Sequence, residues 1–208
     1  KLTKTEKLII TNDRLALSIL PFLLLVKTYK KIEIFVIVMG LFSKKRDTFL
    51  TKTIQNFLIK ILLKISKNLI FLGKGEIRFA ENTFPKYSKK FKFLPFSVDT
   101  NFWEQQDVDV TLNKKILFIG NDGNRDYDLF LKIAEAYPEI PFTCITNNIN
   151  KSQVPKNCRL ISGNWNDSLL TDDEIRNYYA ESRIVIIPLK ETFQPSGQSV
   201  SLQSMSSG

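Results

Sequence analysis

Residues 115–138, KILFIGNDGNRDYDLFLKIAEAYP, contain the pattern that decides the fold of this chain. The apolar run 115–119 predicts a buried strand, residues 121–124 predict a turn-rich loop, and residues 125–137 predict a helix that Pro138 ends. A strand that leads through a glycine into a helix is typical of a βαβ unit in a parallel sheet. The stretch therefore predicts an α/β protein.

The same alternation extends in both directions from this stretch. Upstream, it predicts strands at 7–11, 32–39, 69–72 and 91–95, and helices at 13–29, 48–67 and 73–82. Downstream, it predicts strands at 142–146, 159–162 and 184–187, with helices at 172–182 and from 198 onward. Residues 97–110 have the character of a linker. We therefore expect two Rossmann-like domains, residues 1–96 and 111–208, each with its own parallel sheet.

Two elements of the first domain carry more specific expectations. The β-branched strand at 32–39 is predicted to be buried on both faces. The helix at 48–67 is predicted to pack on its own sheet through an apolar stripe, with Lys52, Lys60 and Lys67 on the opposite side. The members of this stripe are Leu50, Ile54, Phe57, Leu58, Ile61, Leu62 and Ile65.

Charge differs sharply between the two halves of the chain. The formal net charge is +9, but residues 1–100 carry 20 basic and 7 acidic side chains, whereas residues 101–208 carry 10 and 14. Only the first domain is therefore biased toward an anionic partner. A basic loop of Lys44, Lys45 and Arg46 before the amphipathic helix suggests an anionic membrane surface as that partner. Solvated lysines in a lysine-rich composition are the alternative, and no motif for binding nucleic acid accompanies the charge.

Several classes of function are excluded by what the composition lacks. The chain has no histidine, which excludes Ser-His-Asp hydrolysis and His-ligated zinc from its own residues. Cys144 and Cys158 are too few for a disulfide framework, and we expect them in strand cores in a reducing compartment. The apolar runs 15–26 and 34–42 are too short to cross a bilayer. We predict a cytoplasmic location, and we expect the 208 residues to be an inactive fragment with two incomplete sheets.

Ligands of open parallel sheets bind beyond the carboxyl ends of the strands, which directs attention to two loops. The first runs from Gly120 to Arg125 and offers backbone N–H groups followed by a guanidinium at a helix start, a combination suited to phosphate. The second, PSGQS at 195–199, leads into a helix whose N-terminal N–H groups attract anions. The alternatives are a turn glycine with Arg125 paired to Asp126 or Asp128, and a serine-rich helix cap.

Residues 93–208 resemble group 1, family 4-like glycosyltransferases of the GT-B fold. The matching stretches are FLPFSVDTNFW (93–103), ILFIGN (116–121), RDYD (125–128), IRNYYA (175–180) and SGQSVSLQSMSSG (196–208). The first is similar to the family's interdomain linker and the last to the end of its donor motif. Residues 1–92 are compatible with the later half of the acceptor domain.

The resemblance implies a retaining transfer from a nucleotide-diphosphate sugar bound in the second domain, with no metal, to a saccharide, lipid-linked or other acceptor in the first. It implies that Arg125 neutralises the leaving diphosphate together with Ser196, Gly197, Gln198 and Ser199. It also implies that Gln203 contacts the ribose and that Gly120 allows close approach.

The sequence departs from the family at the two positions where glutamates usually face the donor, which are Pro195 and Gln203 here. Binding of the donor is therefore better supported than turnover. A nonenzymatic module that binds a nucleotide or a partner is the first alternative. An epimerase of nucleotide sugars is the second, although such an enzyme usually uses a histidine.

Overall fold

The computed structural model describes residues 6–42, 48–106, 115–162, 170–192 and 194–208. The chain divides into two compact units, one of Lys1–Pro95 with Thr192–Pro195 and the other of Phe96–Glu191 with Ser196–Gly208. Each unit contains a four-stranded sheet in which all neighbouring strands are parallel. The predicted α/β class with two parallel sheets is confirmed.

The first unit has the strand order β1-β2-β3-β4, and each crossover joins adjacent strands. Right-handed crossovers in such an order place every helix on the same face of the sheet. A single apolar core accordingly joins the helices to alternate strand residues such as Ile10, Val36 and Phe71. The elements are β1 (Glu6–Ile10), α1 (Asp13–Ser18), α2 (Leu20–Tyr29), β2 (Ile32–Val38), α3 (Phe49–Ile65), β3 (Asn68–Phe71), α4 (Lys74–Thr83), a 3₁₀ turn (Pro85–Lys90) and β4 (Phe91–Phe93).

Three expectations for this unit are wrong, and the first two concern β2 and the predicted helix 13–29. Strand β2 is not buried on both faces, because Ile34 and Val36 are buried while the alternating Phe35 and Ile37 are only half-buried. The predicted helix 13–29 is two helices, which meet at Ile19. Pro21 lies in the first turn of the second helix, where the absence of its N–H costs nothing.

The apolar stripe predicted for α3 is also wrong in its first half. Leu50, Ile54 and Phe57 are 67%, 50% and 62% exposed. The sheet is contacted instead by the side of the helix that carries Ile59 and Leu63, with Leu62 and Ile65 also buried. The second half of the helix is apolar on nearly every side, so the sequence pattern alone did not determine which side faces the sheet. The basic loop Lys44 to Arg46 lies outside the described residues.

The second unit has the strand order β7-β6-β5-β8, so its crossovers pass to both faces of the sheet. On one face Phe118 of β5 packs against Phe130 of α5, and on the other Leu117 packs with Tyr179 of α6. Cys144 is a buried free thiol in a strand core, as predicted, and so is Cys158. The elements are β5 (Lys115–Ile119), α5 (Tyr127–Ala136), β6 (Phe142–Ile145), β7 (Cys158–Ile161), α6 (Asp172–Ala180), β8 (Ser182–Val185) and α7 (Gln198–Ser206).

The predicted linker contributes to the second unit. Trp103 is buried there and packs edge-on against Tyr179 at a centroid distance of 5.8 Å. Residues 107–110 of the predicted linker lie outside the described residues. Among the helices that are described, none is long and apolar enough to cross a membrane.

Candidate functional site

The carboxyl ends of β5 and β8 form the point of the second sheet where crossovers diverge to opposite faces. Crevices of this kind are where open α/β sheets bind ligands. The loops that follow the two strands are joined by backbone hydrogen bonds from Asp126 N to Pro188 O at 3.0 Å and from Lys190 N to Asn124 O at 2.8 Å. Arg125 forms an isolated antiparallel bridge with Leu189, which explains why α5 begins at Tyr127 and not at residue 125. The loop after β5 and the segment directly after β8 are thus neighbours.

Arg125 is the buried cation of this crevice, with 3% of its surface exposed. Its Nε donates to the carbonyl of Ile119 at 3.3 Å, and its Nη1 donates to Ser196 Oγ at 2.9 Å. The same Nη1 lies 3.1 Å from Oδ2 of Asp122. Gly120 permits this position, because a Cβ there would overlap the Arg125 side chain. The predicted residues Gly120, Arg125 and Ser196 are therefore brought together.

Asp122 is the residue of this site that sequence reasoning missed. The Ser196 hydroxyl donates to the Asp122 carboxylate and lies 2.9 Å from both carboxylate oxygens. The backbone N–H of Asn124 donates to the same carboxylate at 2.9 Å. Arg125 therefore pairs with Asp122, and not with Asp126, which instead caps α5 through Leu129 N. Asp122 lies three residues before Arg125 in the same turn-rich loop, but Asp126 and Asp128 are at least as near in sequence, so spacing alone does not select Asp122. An anionic ligand that binds here therefore shares the positive charge of Arg125 with the Asp122 carboxylate.

Helix α7 begins at the same crevice. It starts at Gln198, as the sequence predicted. Its N-cap is Gly197, which has φ +73° in the left-handed region and provides no side-chain cap. A Cβ at Gly197 would lie 2.7 Å from Ile187 Cγ2 and 3.0 Å from Arg125 Nη1. The first turn, which contains Gln198 and Ser199, therefore places the positive end of the helix dipole next to the guanidinium.

Gln203 lies deeper in α7 and is buried. Its Oε1 accepts a hydrogen bond from the hydroxyl of Tyr179 at 3.0 Å. Burial raises the pKa of Tyr179 well above its usual range, and the nearby positive charge of Arg125 only partly opposes this. Tyr179 is therefore a neutral hydrogen-bond donor at physiological pH. Its hydroxyl directs Oε1 of the Gln203 amide toward α6. The Nε2 group of the same amide consequently faces away from Tyr179.

A network of asparagines supports the first loop from the end of β6. Asn121 Oδ1 accepts from Thr146 Oγ1 at 3.1 Å and from the N–H of Asn147 at 2.6 Å. Asn148 donates to the carbonyl of Asn121 and to the hydroxyl of Tyr127. Tyr127 in turn donates to the carbonyl of Asp122 at 2.9 Å. These contacts hold the loop from two neighbouring segments, the end of β6 and the start of α5.

The first unit has a separate feature, which sequence reasoning also missed. Glu76 of α4 is fully buried, and its carboxylate accepts from the N–H groups of Gly40 at 3.3 Å and Phe42 at 3.4 Å. Burial raises its pKa to about 7, the Asp13 carboxylate adds to this rise, and the backbone N–H groups partly oppose it. Beside the loop that Glu76 holds, Asp13, Arg14, Gly40, Gln55 and Leu58 are among the residues that line a cavity of about 420 Å³.

Neither a protein-family model nor a curated protein sequence matches the chain. Its fold is that of the GT-B glycosyltransferase-like class, as the resemblance implied. The chain is similar to the crystal structure of TarM, with a TM-score of 0.69 and 13% identity over 96% of this chain and 39% of TarM. It is also similar to a glycosyltransferase from Rickettsia africae ESF-5, with a TM-score of 0.59 and 11% identity over 87% of this chain and 52% of that one. At these identities the likeness shows the fold alone.

Proposed function

We propose that the second unit binds the diphosphate of a nucleotide-diphosphate sugar and that the chain is part of a retaining glycosyltransferase. One observation carries this proposal: the buried Arg125 guanidinium lies 2.9 Å from the Ser196 hydroxyl, directly before the N-terminus of α7. A guanidinium, a hydroxyl and a helix N-terminus are groups that stabilise phosphate oxygens, and this crevice contains all three. The GT-B-like fold supports glycosyl transfer as the use of such a site.

The donor residues have separate roles in this proposal. The N–H groups at Gln198 and Ser199 and the Ser196 hydroxyl bind the phosphates, and Gly197 allows the backbone to approach them. Arg125 supplies the positive charge without a metal ion. Among the described residues no group of three or more His, Cys, Asp or Glu side chains is arranged to hold a metal, and the metal-free reaction stays a prediction.

Charge development explains why a buried arginine suits the reaction. As the bond between the anomeric carbon and the diphosphate oxygen breaks, its electron pair moves to the β-phosphate. An acceptor hydroxyl forms the new bond to the anomeric carbon from the same face, and its proton passes to the departing phosphate oxygen. Arg125 and the α7 N-terminus are held in place beforehand, so they stabilise the growing charge without reorganisation.

Gln203 replaces the acidic residue that the family resemblance expects at the ribose. Because Tyr179 occupies its oxygen, the amide offers Nε2–H as a donor to a ribose oxygen, whereas a glutamate would accept a hydrogen bond. The acceptor, a saccharide or a lipid-linked compound, is proposed to bind in the first unit, at the cavity beside Gly40. That cavity also lies beyond the carboxyl end of a parallel strand, β2.

A nucleotide-binding module without transferase activity is the second candidate. It is favoured by Pro195 and Gln203, which stand where two carboxylates would face the donor, and by the engagement of Gln203 with Tyr179. The two candidates share the diphosphate site and differ only in turnover.

Isothermal titration calorimetry with UDP, GDP and ADP tests the shared site. We expect one of the three to bind and Arg125→Ala to weaken it by about 1.5–3 kcal/mol, the range for hydrogen bonds to charged groups. Arg159→Ala is the matched control, because it removes the same charge from an exposed position on β7. Equal affinities of both variants and the wild type would show that the diphosphate does not bind at Arg125. Binding without sugar transfer or donor hydrolysis would favour the second candidate.

A further inference from the structure

The helical layer of the first unit carries an outward-facing apolar surface. On α2, Phe22, Leu25 and Tyr29 follow one another at spacings of three and four residues, and they are 61%, 56% and 73% exposed. On α3, Leu50, Ile54 and Phe57 have the same kind of spacing and are at least half exposed. These six residues are called the outer face below. Helices α2 and α3 are in contact with each other in the helical layer.

The outer face is separate from the surface that builds the core. The sheet-facing sides of the same helices are formed by Leu20 and Leu23 on α2 and by Ile59 and Leu63 on α3, all of which are buried. Each helix therefore has two apolar sides, and packing on its own sheet accounts for only one of them. Several exposed large apolar side chains on neighbouring helices mark a surface for a partner.

Charge identifies the kind of partner. Residues 14–32 and 48–67 contain eight basic side chains and no acidic one. Two of the eight form ion pairs with strand carboxylates, Lys30 with Glu6 and Lys67 with Glu33. Lys60 and Lys64 follow Phe57 by one and two helical turns on the same side, and neither forms an ion pair within the part of the chain that the structure describes. The outer face is thus apolar and cationic at once.

We propose that the outer face docks in the interface of an anionic membrane, with α2 and α3 in the membrane plane. In this arrangement Phe22, Leu25, Leu50 and Phe57 enter the boundary between headgroups and acyl chains, while Lys60 and Lys64 contact the anionic headgroups. A second copy of the chain is a poorer occupant, because a symmetric contact would bring the two sets of lysines together. This inference is independent of the nucleotide site. The proposed docking also differs from attachment of the unit to the membrane by lysines alone, because it requires the apolar side chains of the outer face to insert into the bilayer.

Vesicle co-sedimentation tests the proposal with vesicles of phosphatidylglycerol and phosphatidylcholine in equal parts, and with phosphatidylcholine alone. We expect binding to the anionic vesicles to fall about tenfold for Phe57→Ser and about fivefold for Lys60→Gln. Ile9→Ser is the matched control, because Ile9 is 63% exposed in the same unit but alternates with the buried Ile10 on β1 and so lies on the other side of the sheet. Loss of binding in the control, or equal binding to both kinds of vesicle, would overturn the proposal.

Depth of insertion is measured with a fluorophore on the outer face. Both natural cysteines are buried, so Phe57→Cys provides a selectively reactive thiol for an environment-sensitive label. We expect rapid labelling without lipid, then a blue shift with anionic vesicles and quenching by brominated acyl chains. Protection of the thiol in the absence of lipid would show that protein covers this surface. A self-association that Phe57→Ser abolishes would assign it to a second copy. Either result would overturn membrane docking.

Discussion

Replacing Glu76 by Gln removes a buried carboxyl group that couples the stability of the first unit to pH. In the unfolded chain this group has its ordinary pKa of 4.5, whereas burial raises its folded pKa to about 7. Between these values the folded state holds one more proton than the unfolded state. Stability therefore falls as the pH rises from about 4.5 to 7 and is level above that range.

The size of the effect follows from the two pKa values. One pKa unit corresponds to about 1.4 kcal/mol, so the rise to about 7 predicts a loss of about 3 kcal/mol across this range. Glu76→Gln keeps the shape of the side chain and an oxygen for the N–H of Gly40 or Phe42, but it cannot ionise. The free energy of unfolding of the variant should therefore lack this pH dependence.

Urea unfolding between pH 5 and 8 measures the difference between wild type and variant. Trp103 is buried in the second unit and Trp165 falls within the residue range of that unit, so we use tryptophan fluorescence to follow the second unit. Far-ultraviolet circular dichroism follows both units. We expect the stabilities of wild type and Glu76→Gln to differ in a pH-dependent way only for the first unit. This difference should appear in circular dichroism and not in tryptophan fluorescence. A difference between the proteins that stays constant from pH 5 to 8 would refute a raised pKa at Glu76.

Three further predictions concern the second unit. Asp122→Asn removes a carboxylate that shares Arg125 with an incoming anion, so nucleoside diphosphate affinity should rise about fivefold in calorimetry. Gly197→Ala combines a left-handed backbone with a Cβ 2.7 Å from Ile187 Cγ2, so tryptophan-monitored unfolding should show a loss of about 3 kcal/mol. Tyr179→Phe should cost about 1 kcal/mol of stability and weaken UDP binding several-fold, while the affinity for pyrophosphate, which has no ribose, stays unchanged.

Each of these predictions has a result that contradicts it. Weaker nucleotide binding by Asp122→Asn would mean that the carboxylate positions Arg125 and does not compete with the ligand. Asp128→Asn is the control, because it also removes one negative charge. Unchanged stability of Gly197→Ala would show that residue 197 is not left-handed, with Gly123→Ala as control because no atom lies near its Cβ position. An equal loss of UDP and pyrophosphate affinity in Tyr179→Phe would remove Gln203 from the ribose site.

The order of strands and helices was predictable because each element has its own hydrophobic period. The exposed side of α3 was not, since apolar residues such as Leu58, Ile59, Ile61, Leu62 and Leu63 cover most of the circumference of its second half and leave only a narrow polar side at Lys60 and Lys64. Only packing on the sheet distinguishes the buried Ile59 from the exposed Phe57. Local sequence patterns do not contain this information.

The candidate site was predictable in its position and not in its charge pairing. The rule that ligands lie beyond strand ends, with glycines and an arginine in the loops, located Gly120, Arg125 and Ser196. The partner of Arg125 depends on where the second loop places Ser196, which lies 71 residues away and bridges Arg125 to Asp122. Contacts between residues so distant in sequence are set by the tertiary fold.

Amide chemical-shift mapping tests most directly whether the crevice between β5, β8 and α7 binds a diphosphate. Isotope-labelled protein is titrated with UDP, GDP or ADP, and the amide signals are followed by nuclear magnetic resonance. The diphosphate site predicts saturable shifts at Gly197, Gln198 and Ser199 that Arg125→Ala abolishes and Arg159→Ala retains. Shifts that appear only elsewhere in the chain, or that are the same in both variants, would contradict it.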